Sequence, residues 1–210
     1  MCNRARFAHE PNTLGAVDWW TEKPMDNRFR PEELFPRARA YVIRERDGRR
    51  GIDVMTWDVL GGGAKWPMTN VRDLALPQWR KLAEKPENRC LVPLTEFCEW
   101  THDLHQVGPG NPIKGEMWFS VIDQPVFAVA GFWQRTAKGT GFTMVTCDPN
   151  KLVAPIHPKA MITILHSDDH ETWLRGSYDD VVALQRPYPA DEMTMRGPVF
   201  PTRNVVGALR

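Results

Sequence analysis

Proline and glycine interrupt this sequence so often that a long helix has little room to form. The 210 residues include 18 prolines and 15 glycines, and both residue types break helices and mark turns. The runs between these breaks are short and rich in valine, isoleucine, phenylalanine and tryptophan, which is typical of strands. We predict five strands from these runs, at residues 39–44, 52–59, 117–122, 126–133 and 142–146.

Two turn sequences between these runs predict hairpins. One is Asp47-Gly48 and the other is Asp123-Gln124-Pro125, and both contain residues that tight turns favour. Three short helices are predicted, with Ser167 as the N-cap of the second one, at residues 76–84, 167–174 and 178–185. The tail after Tyr188 is expected to be extended and to pack back on the sheet.

This mixture of elements predicts one α+β domain over residues 1–210. We expect a mixed, mainly antiparallel and barrel-like sheet with a few short helices. A chain of this length, with 42% hydrophobic residues, can bury a core without disulfides. We therefore expect neither a second domain nor a cofactor that holds the fold together.

The sequence contains no apolar run near the ~18 residues that a membrane-spanning helix requires. Its polar, basic N-terminus also lacks the apolar stretch of a secretory signal. We expect a cytoplasmic protein with reduced thiols. Because the four cysteines have no framework spacing, Cys90 and Cys147 are interpreted as small core residues.

Arginine is concentrated between Arg28 and Arg50, although the formal net charge of the chain is only +1. That segment holds eight arginines against four acidic residues, and such segments can neutralise phosphates. Charge runs are more often the solvated surface of strands and loops. We favour the second interpretation.

Cys2 follows the initiator methionine directly, so removal of Met1 would place a free α-amine beside a thiol. An amine of this kind condenses with an aldehyde to an imine, and the thiol then adds to the imine carbon to close a thiazolidine ring. The α-amine has an ordinary pKa of ~7.7–8.0, so part of it is neutral and nucleophilic near pH 7.

Four further segments give Cys2 a context. They are Thr69-Asn70-Val71-Arg72, Arg89-Cys90-Leu91-Val92-Pro93, Phe97-Cys98-Glu99-Trp100, and Asn150 with Ile156-His157-Pro158-Lys159. With Cys2-Asn3-Arg4, their order and spacing resemble the SOS response-associated peptidase (SRAP) family. The family patterns are M-C-G-R, N-A-R-x-E-T, R-C-L-x-P-x-x-G-F-Y-E-W and I-H-x-R-M-P.

The resemblance implies a barrel-like mixed fold with a cleft for single-stranded DNA. It further implies an enzyme that removes its own Met1 and forms a covalent thiazolidine crosslink between Cys2 and abasic sites. By position, the catalytic residues would be Cys2, Asn70, Glu99 and His157. The DNA-binding residues would be Arg4, Arg72 and Lys159. Apart from the resemblance, Trp66 is the tryptophan best placed to stack on unpaired bases, because it precedes Asn70.

In these roles Glu99 would transfer protons during imine formation, with a pKa raised by burial. His157 would promote opening of the abasic sugar to its aldehyde. Asn70 would hydrogen-bond the sugar or the amine of Cys2, while Arg4 and Arg72 would contact the flanking phosphates.

The sequence departs from the family patterns at several positions. Asn3 replaces a glycine, and the glutamate that follows the motif arginine is lost after Arg72. Residues 57–61, Trp-Asp-Val-Leu-Gly, replace W-G-L-x-P, so the loop facing DNA is expected to have another shape. Lys159 stands in place of an arginine.

Two other functions remain open from the residues alone. One is a peptidase or amidohydrolase that uses Cys2 as an N-terminal nucleophile, and the other is a non-catalytic module that binds single-stranded DNA. Cys98, His102 and His105 have a spacing that invites zinc, but a fourth ligand is missing. We expect a monomer that acts on single-stranded DNA with abasic sites, without a metal, another cofactor or a membrane.

Overall fold

The computed structural model describes residues 2–7, 33–62 and 64–200. Met1 and the two arginines of the arginine-rich segment that come first, Arg28 and Arg30, lie outside the described residues. The strands are β1 (Ala5–Arg6), β2 (Glu33–Leu34), β3 (Arg39–Arg46), β4 (Arg49–Thr56), β5 (Asn70–Val71), β6 (Arg89–Leu94), β7 (Glu96–His105), β8 (Ile113–Val121), β9 (Phe127–Thr136), β10 (Gly139–Cys147), β11 (Met161–Ile162), β12 (Ile164–Leu165) and β13 (Met193–Val199). The helices are α1 (Pro77–Ala83), α2 (Asp169–Arg175) and α3 (Tyr178–Ala183), with 3-10 turns at Pro86–Asn88 and Ala190–Glu192.

Five strands close into a ring. Antiparallel pairs join β4 to β3, β3 to β6, β6 to β9 and β9 to β10, and a parallel bridge from β10 to β4 closes the circle. The short strands β5 and β11 pair with β10, and β12 pairs with β9. Closure leaves few open edges. The predicted α+β fold with a barrel-like, mainly antiparallel sheet is confirmed.

A second sheet of five antiparallel strands contains the N-terminal strand. Its order is β13-β8-β7-β1-β2, and Ala5 of β1 lies opposite Phe97 of β7. The predicted extended tail is confirmed as far as Val199, since β13 pairs with β8; residues 201–210 lie outside the described residues. This sheet is therefore the element that fixes the start of the chain against the middle of the sequence.

Only one of the two predicted hairpins exists. Asp47 and Gly48 have positive φ values of 51° and 76° and join β3 to β4 directly, as the favoured two-residue turn requires. The hairpin predicted around Asp123-Gln124-Pro125 is wrong, because β8 pairs with β7 and β13 while β9 belongs to the ring. That turn carries the chain from one sheet to the other. Turn residues show where a strand ends, but not which strand lies beside it.

The three predicted helices are present, but the predicted cap of α2 is wrong. Its N-cap is Asp168 and makes no side-chain cap bond, so Ser167 does not have that role. The stronger cap belongs to α3, where the Ser177 side chain accepts from the Asp180 backbone and the Asp180 side chain accepts from the Ser177 backbone. Among the described residues no helix is long and apolar enough to cross a membrane.

Two hydrophobic clusters flank the ring. One joins it to the second sheet and includes Cys2, Phe97 and Trp57. The other joins it to the helices and includes Trp79 and Trp173. All four cysteines are free and buried, and Cys90 and Cys147 lie in the core as predicted. Cys2 is part of the core and not of a loose terminus.

Candidate active site

Strand pairing draws Cys2 into the interior. The backbone N–H of Cys98 donates to the Arg4 carbonyl at 2.9 Å, which extends the β1–β7 ladder toward the terminus. Only 1% of Cys2 is exposed. Its Sγ lies 3.4 Å from the Arg4 carbonyl oxygen and 3.9 Å from that of Cys98. The ladder therefore sets the position of the thiol through backbone contacts.

Asn70 approaches Cys2 from the ring. It lies on β5, which pairs in parallel with β10, and its side chain is buried. Nδ2 donates to the Cys2 carbonyl and to Thr69 Oγ1, both at 2.9 Å. The buried Oδ1 has no hydrogen-bond partner among the described residues. Asn70 thus contacts Cys2, as the sequence predicted, but it binds the carbonyl group of Cys2 and not its amine.

Glu99 supplies the titratable group of this centre. Its side chain on β7 is buried, and burial raises its pKa to about 7. Burial also raises the pKa of the Cys2 thiol, and the negative charge of Glu99 adds to that rise. The carboxyl and the thiol are therefore close enough to interact electrostatically. Glu99 Oε1 lacks a hydrogen-bond partner within the described chain.

His157 lies in the turn that follows β10. Its Nδ1 is 2.6 Å from the Ala160 carbonyl oxygen, a contact that orients the ring. Partial burial lowers its pKa, so the imidazole is mainly neutral near pH 7. The preceding residue, Ile156, packs against the hydrophobic cluster that contains Cys2. The turn is thereby anchored on the side of the core where Cys2 lies.

Arg72 connects Asn70 with the turn of His157. It follows β5 directly, and its guanidinium donates to Asp148 at 2.6 Å and to the Lys159 carbonyl. Lys159 itself is exposed. Two of the predicted DNA-binding residues thus lie side by side on the same edge of the molecule.

Arg4, which was predicted to contact a phosphate, already pairs with two carboxylates of the protein. Its guanidinium pairs with Glu33 at 2.8 Å and with the buried Glu116, and its side chain is only 12% exposed. It also lies over the rings of Phe35 and Trp118. A phosphate could therefore bind Arg4 only by sharing its guanidinium with Glu33 and Glu116.

Trp66 lies on the loop between β4 and β5 and is 74% exposed. The Arg37 guanidinium donates to the carbonyls of Ala64 and Lys65, at 3.3 and 3.2 Å. The amine of Lys65 lies 5.6 Å from the centroid of the Trp66 ring. The turn that precedes β3 thus supports the loop that carries this ring.

The described arginines of the arginine-rich segment mostly form ion pairs on the β3–β4 hairpin. Arg44 and Arg46 both bind Asp53, and Arg50 binds Glu171. This supports the interpretation of the segment as a solvated protein surface. Within residues 2–7, 33–62 and 64–200, no group of three or more His, Cys, Asp or Glu side chains could hold a metal ion.

Sequence reasoning gave no role to Glu116. This residue is only 1% exposed and faces Arg4, and it accepts from Trp118 Nε1 at 3.1 Å. One signal could have identified it, since a lone carboxylate in an otherwise apolar strand must find a buried partner. Thr69, whose hydroxyl oxygen accepts from Asn70 Nδ2, was given no role either.

Comparisons with known proteins identify the family of this chain. A sequence profile of the family described as SOS response associated peptidase (SRAP) matches residues 1–202. The chain is 31% identical over 169 residues to the "Abasic site processing protein YoqW" of Bacillus subtilis (strain 168), and equally to that of Bacillus phage SPbeta. In both cases the match covers 72% of this chain and 70% of the relative.

Solved structures share the fold. A protein from Bacteroides thetaiotaomicron has a TM-score of 0.72 and 22% identity, over 92% of this chain and 90% of that one. A protein from Bordetella bronchiseptica has a TM-score of 0.73 and 21% identity, over 92% of this chain and 98% of that one. At these identities the likeness concerns the arrangement of strands and helices.

Proposed function

This chain belongs to the SOS response associated peptidase family, and we propose that it processes abasic sites in DNA. In the proposed reaction Cys2 forms a covalent thiazolidine crosslink with the sugar aldehyde of a single-stranded abasic site. One observation carries the proposal: Cys2 is held by Asn70 beside Glu99, a buried carboxyl with a pKa of about 7. The matched relatives bear names that state abasic site processing.

The first step of the proposal is hydrolysis of the Met1–Cys2 peptide bond. While Met1 is attached, the Cys2 nitrogen is an amide and cannot attack an aldehyde. Hydrolysis consumes one water and releases methionine, leaving the α-amine on Cys2. Asn70 grips the Cys2 carbonyl and would keep the new terminus in place after cleavage. This step accounts for the word peptidase in the family description.

The second step joins the amine to C1 of the ring-opened sugar. The nitrogen adds to the aldehyde carbon, and the carbinolamine then loses its hydroxyl as water to give an imine. This loss requires an acid, and a carboxyl with a pKa of about 7 is partly protonated at neutral pH. Glu99 is suited to that role, and the oriented ring of His157 is suited to assist the preceding sugar opening.

The last step closes the ring. Burial keeps the Cys2 thiol protonated by raising its pKa, so the thiol must lose its proton as sulfur bonds to the imine carbon. Glu99, which became a carboxylate by protonating the leaving hydroxyl, can accept that proton. The carbinolamine nitrogen keeps its own hydrogen through the protonated imine, so it ends as a secondary amine. The reaction from amine to thiazolidine releases one water and needs neither an oxidant nor a metal.

The exposed residues would hold the DNA strand. Trp66 offers a ring on which an unpaired base can stack, and Arg72 and Lys159 offer positive charge near the turn of His157. Arg4 would contribute a phosphate contact only by sharing its guanidinium with Glu33 and Glu116.

The test is an adduct assay on the protein with Met1 removed. It is incubated with a single-stranded oligonucleotide that contains one abasic site, and a heat-stable adduct is sought on a denaturing gel. Cys2→Ser should give no heat-stable adduct, because an oxygen nucleophile leaves the imine easily hydrolysed. Cys90→Ala removes another buried cysteine as the control and should react like the wild type. An equal adduct yield from Cys2→Ser would overturn the proposed thiazolidine.

A further inference from the structure

A second site lies beside the loop that carries Trp66, away from the buried cysteine. A cavity of about 280 Å³ opens between this loop and the turn that joins β9 to β10. Arg37 and Lys138 line it, together with the hydroxyl-bearing Thr56 and Thr140. No catalytic role proposed above uses any of these four residues.

The single carboxylate in the lining does not cancel both positive charges. Asp58 accepts backbone N–H groups from Leu60 at 3.2 Å, Met68 at 3.0 Å and Gly62 at 2.9 Å. It is 1% exposed, and the Arg37 Nε lies 3.7 Å away. Three backbone N–H groups and the Arg37 guanidinium thus offset the negative charge of Asp58. Within the part of the chain that the structure describes, no carboxylate lies within ion-pair distance of Lys138.

The backbone of the loop is shaped to keep the cavity open. Gly61 and Gly62 have φ values of 59° and 76°, which favour glycine. A Cβ on Gly62 would lie 3.1 Å from the Lys138 amine, and one on Gly61 would collide with Thr136. The two glycines let the loop approach the turn closely and bring the Lys138 amine against the cavity wall.

The cavity and the buried centre are connected by one strand. On β10, Gly141 pairs with Thr56 at the cavity and Met144 pairs with Asn70 at the centre. At ~3.3 Å per residue the two places are about 10 Å apart along the strand. Grooves for single-stranded nucleic acid cover about four nucleotides or more. A strand with its reacting sugar near Cys2 can therefore extend to the cavity.

We propose that this cavity binds a phosphodiester group of the DNA strand, at a nucleotide other than the abasic one. Lys138 supplies the uncompensated positive charge, the Arg37 guanidinium and the threonine hydroxyls supply hydrogen-bond donors, and Trp66 stacks an adjacent base. The inference rests on the proposed function. It adds a subsite that holds undamaged backbone and makes the affinity depend on DNA beyond the lesion.

The test measures binding of an undamaged single-stranded oligonucleotide by fluorescence anisotropy over a range of salt concentrations. Lys138→Gln removes one charge, so the slope of log K against log salt should become shallower by about 0.7. Lys81→Gln, which removes an exposed charge from α1, should keep the wild-type slope. An identical slope for Lys138→Gln and Lys81→Gln would overturn the subsite.

A second arm locates the phosphate. Single neutral methylphosphonate linkages are moved along an oligonucleotide with one abasic site, and the affinity for each is measured. The wild type should lose affinity at one linkage away from the lesion, and Lys138→Gln should be insensitive at that linkage. A loss shared equally by both proteins at every linkage would contradict the proposal.

The two proposals fail in different ways. If the wild type forms no adduct but Lys138→Gln still shows the shallower slope, the crosslinking chemistry is wrong and the phosphate subsite stands. If adducts form normally and the Lys138→Gln slope is unchanged, the subsite is wrong and the chemistry stands. A wild type that binds inorganic phosphate in the cavity but no DNA would overturn the assignment to the DNA backbone.

Discussion

The buried centre and the Trp66 loop are built in opposite ways. The centre places Cys2, Asn70 and Glu99 between two sheets, and each of them is less than a tenth exposed. The loop leaves Trp66 74% exposed and depends on the buried Asp58 and on Arg37 for its shape. Under the proposed function, the centre would set the chemistry and the loop would set the affinity for DNA.

The largest expected effect comes from the carboxyl at the centre. Glu99→Gln should slow adduct formation at saturating DNA about 100- to 10,000-fold, because it removes proton transfer during imine formation. The noncovalent affinity for DNA should stay at the wild-type value. Glu96→Gln on the same strand, which changes a carboxylate paired with Arg196 at the surface, serves as the control. A normal rate for Glu99→Gln would show that this residue takes no part in the chemistry, and the centre would then lack its proposed acid.

The second prediction concerns pH and stability. The pKa of Glu99 is about 7 in the folded protein against an ordinary 4.5, so the folded state holds the proton more tightly. The contribution of this group to stability is therefore lost as pH rises from 4.5 to 7, by at most about 3 kcal/mol. Urea unfolding from pH 5 to 8 should show wild type losing stability relative to Glu99→Gln. Parallel curves would mean that Glu99 is not desolvated.

The third prediction concerns the exposed ring. Trp66→Ala should weaken noncovalent binding of single-stranded DNA by about 1–3 kcal/mol, the usual contribution of one base–aromatic stack. The rate of adduct formation at saturating DNA should not change. Leu60→Ala removes another exposed apolar side chain from the same loop as the control. A lower saturated rate for Trp66→Ala would show that the loop also acts on the chemistry.

The smallest expected effect tests what holds the loop. Asp58→Asn replaces a carboxylate that accepts three backbone N–H groups with a side chain that has one oxygen, at a cost of about 1 kcal/mol in unfolding free energy. Urea unfolding measures this cost. Anisotropy should show weaker binding of DNA as well, because the loss of loop shape outweighs the removal of one negative charge from the cavity lining. Asp73→Asn, at an exposed turn between β5 and α1, is the control. Weaker folding with unchanged DNA affinity would separate loop shape from binding.

Much of the fold was predictable because its strands carry local signals. The β3–β4 hairpin follows from its Asp47-Gly48 turn, and the short apolar runs indicated most ring strands. Pairing over long distances was not predictable, as the failed hairpin at Asp123 shows. The turn residues there are genuine, but the strands on either side join different sheets for reasons of packing far along the chain.

The site was predictable only in its list of residues. The motifs named Cys2, Asn70 and Glu99, and the structure brings these three together, although their proposed roles stay predictions. The sequence could not show that Asn70 would bind the Cys2 carbonyl, since β5 reaches it only through a parallel pairing with β10. Nor could it show that Arg4 would be enclosed by Glu33 and Glu116, because ion pairs between distant segments follow from the fold.

The burial of Cys2 has a consequence for selectivity. A cell contains many small aldehydes, among them open-chain sugars, and an exposed aminothiol would be consumed by them. A nucleophile that solvent barely reaches reacts mainly with an aldehyde that the bound strand delivers to it. Under the proposed chemistry, the shielding of Cys2, and not the reactivity of its thiol, would determine which carbonyl compounds are captured.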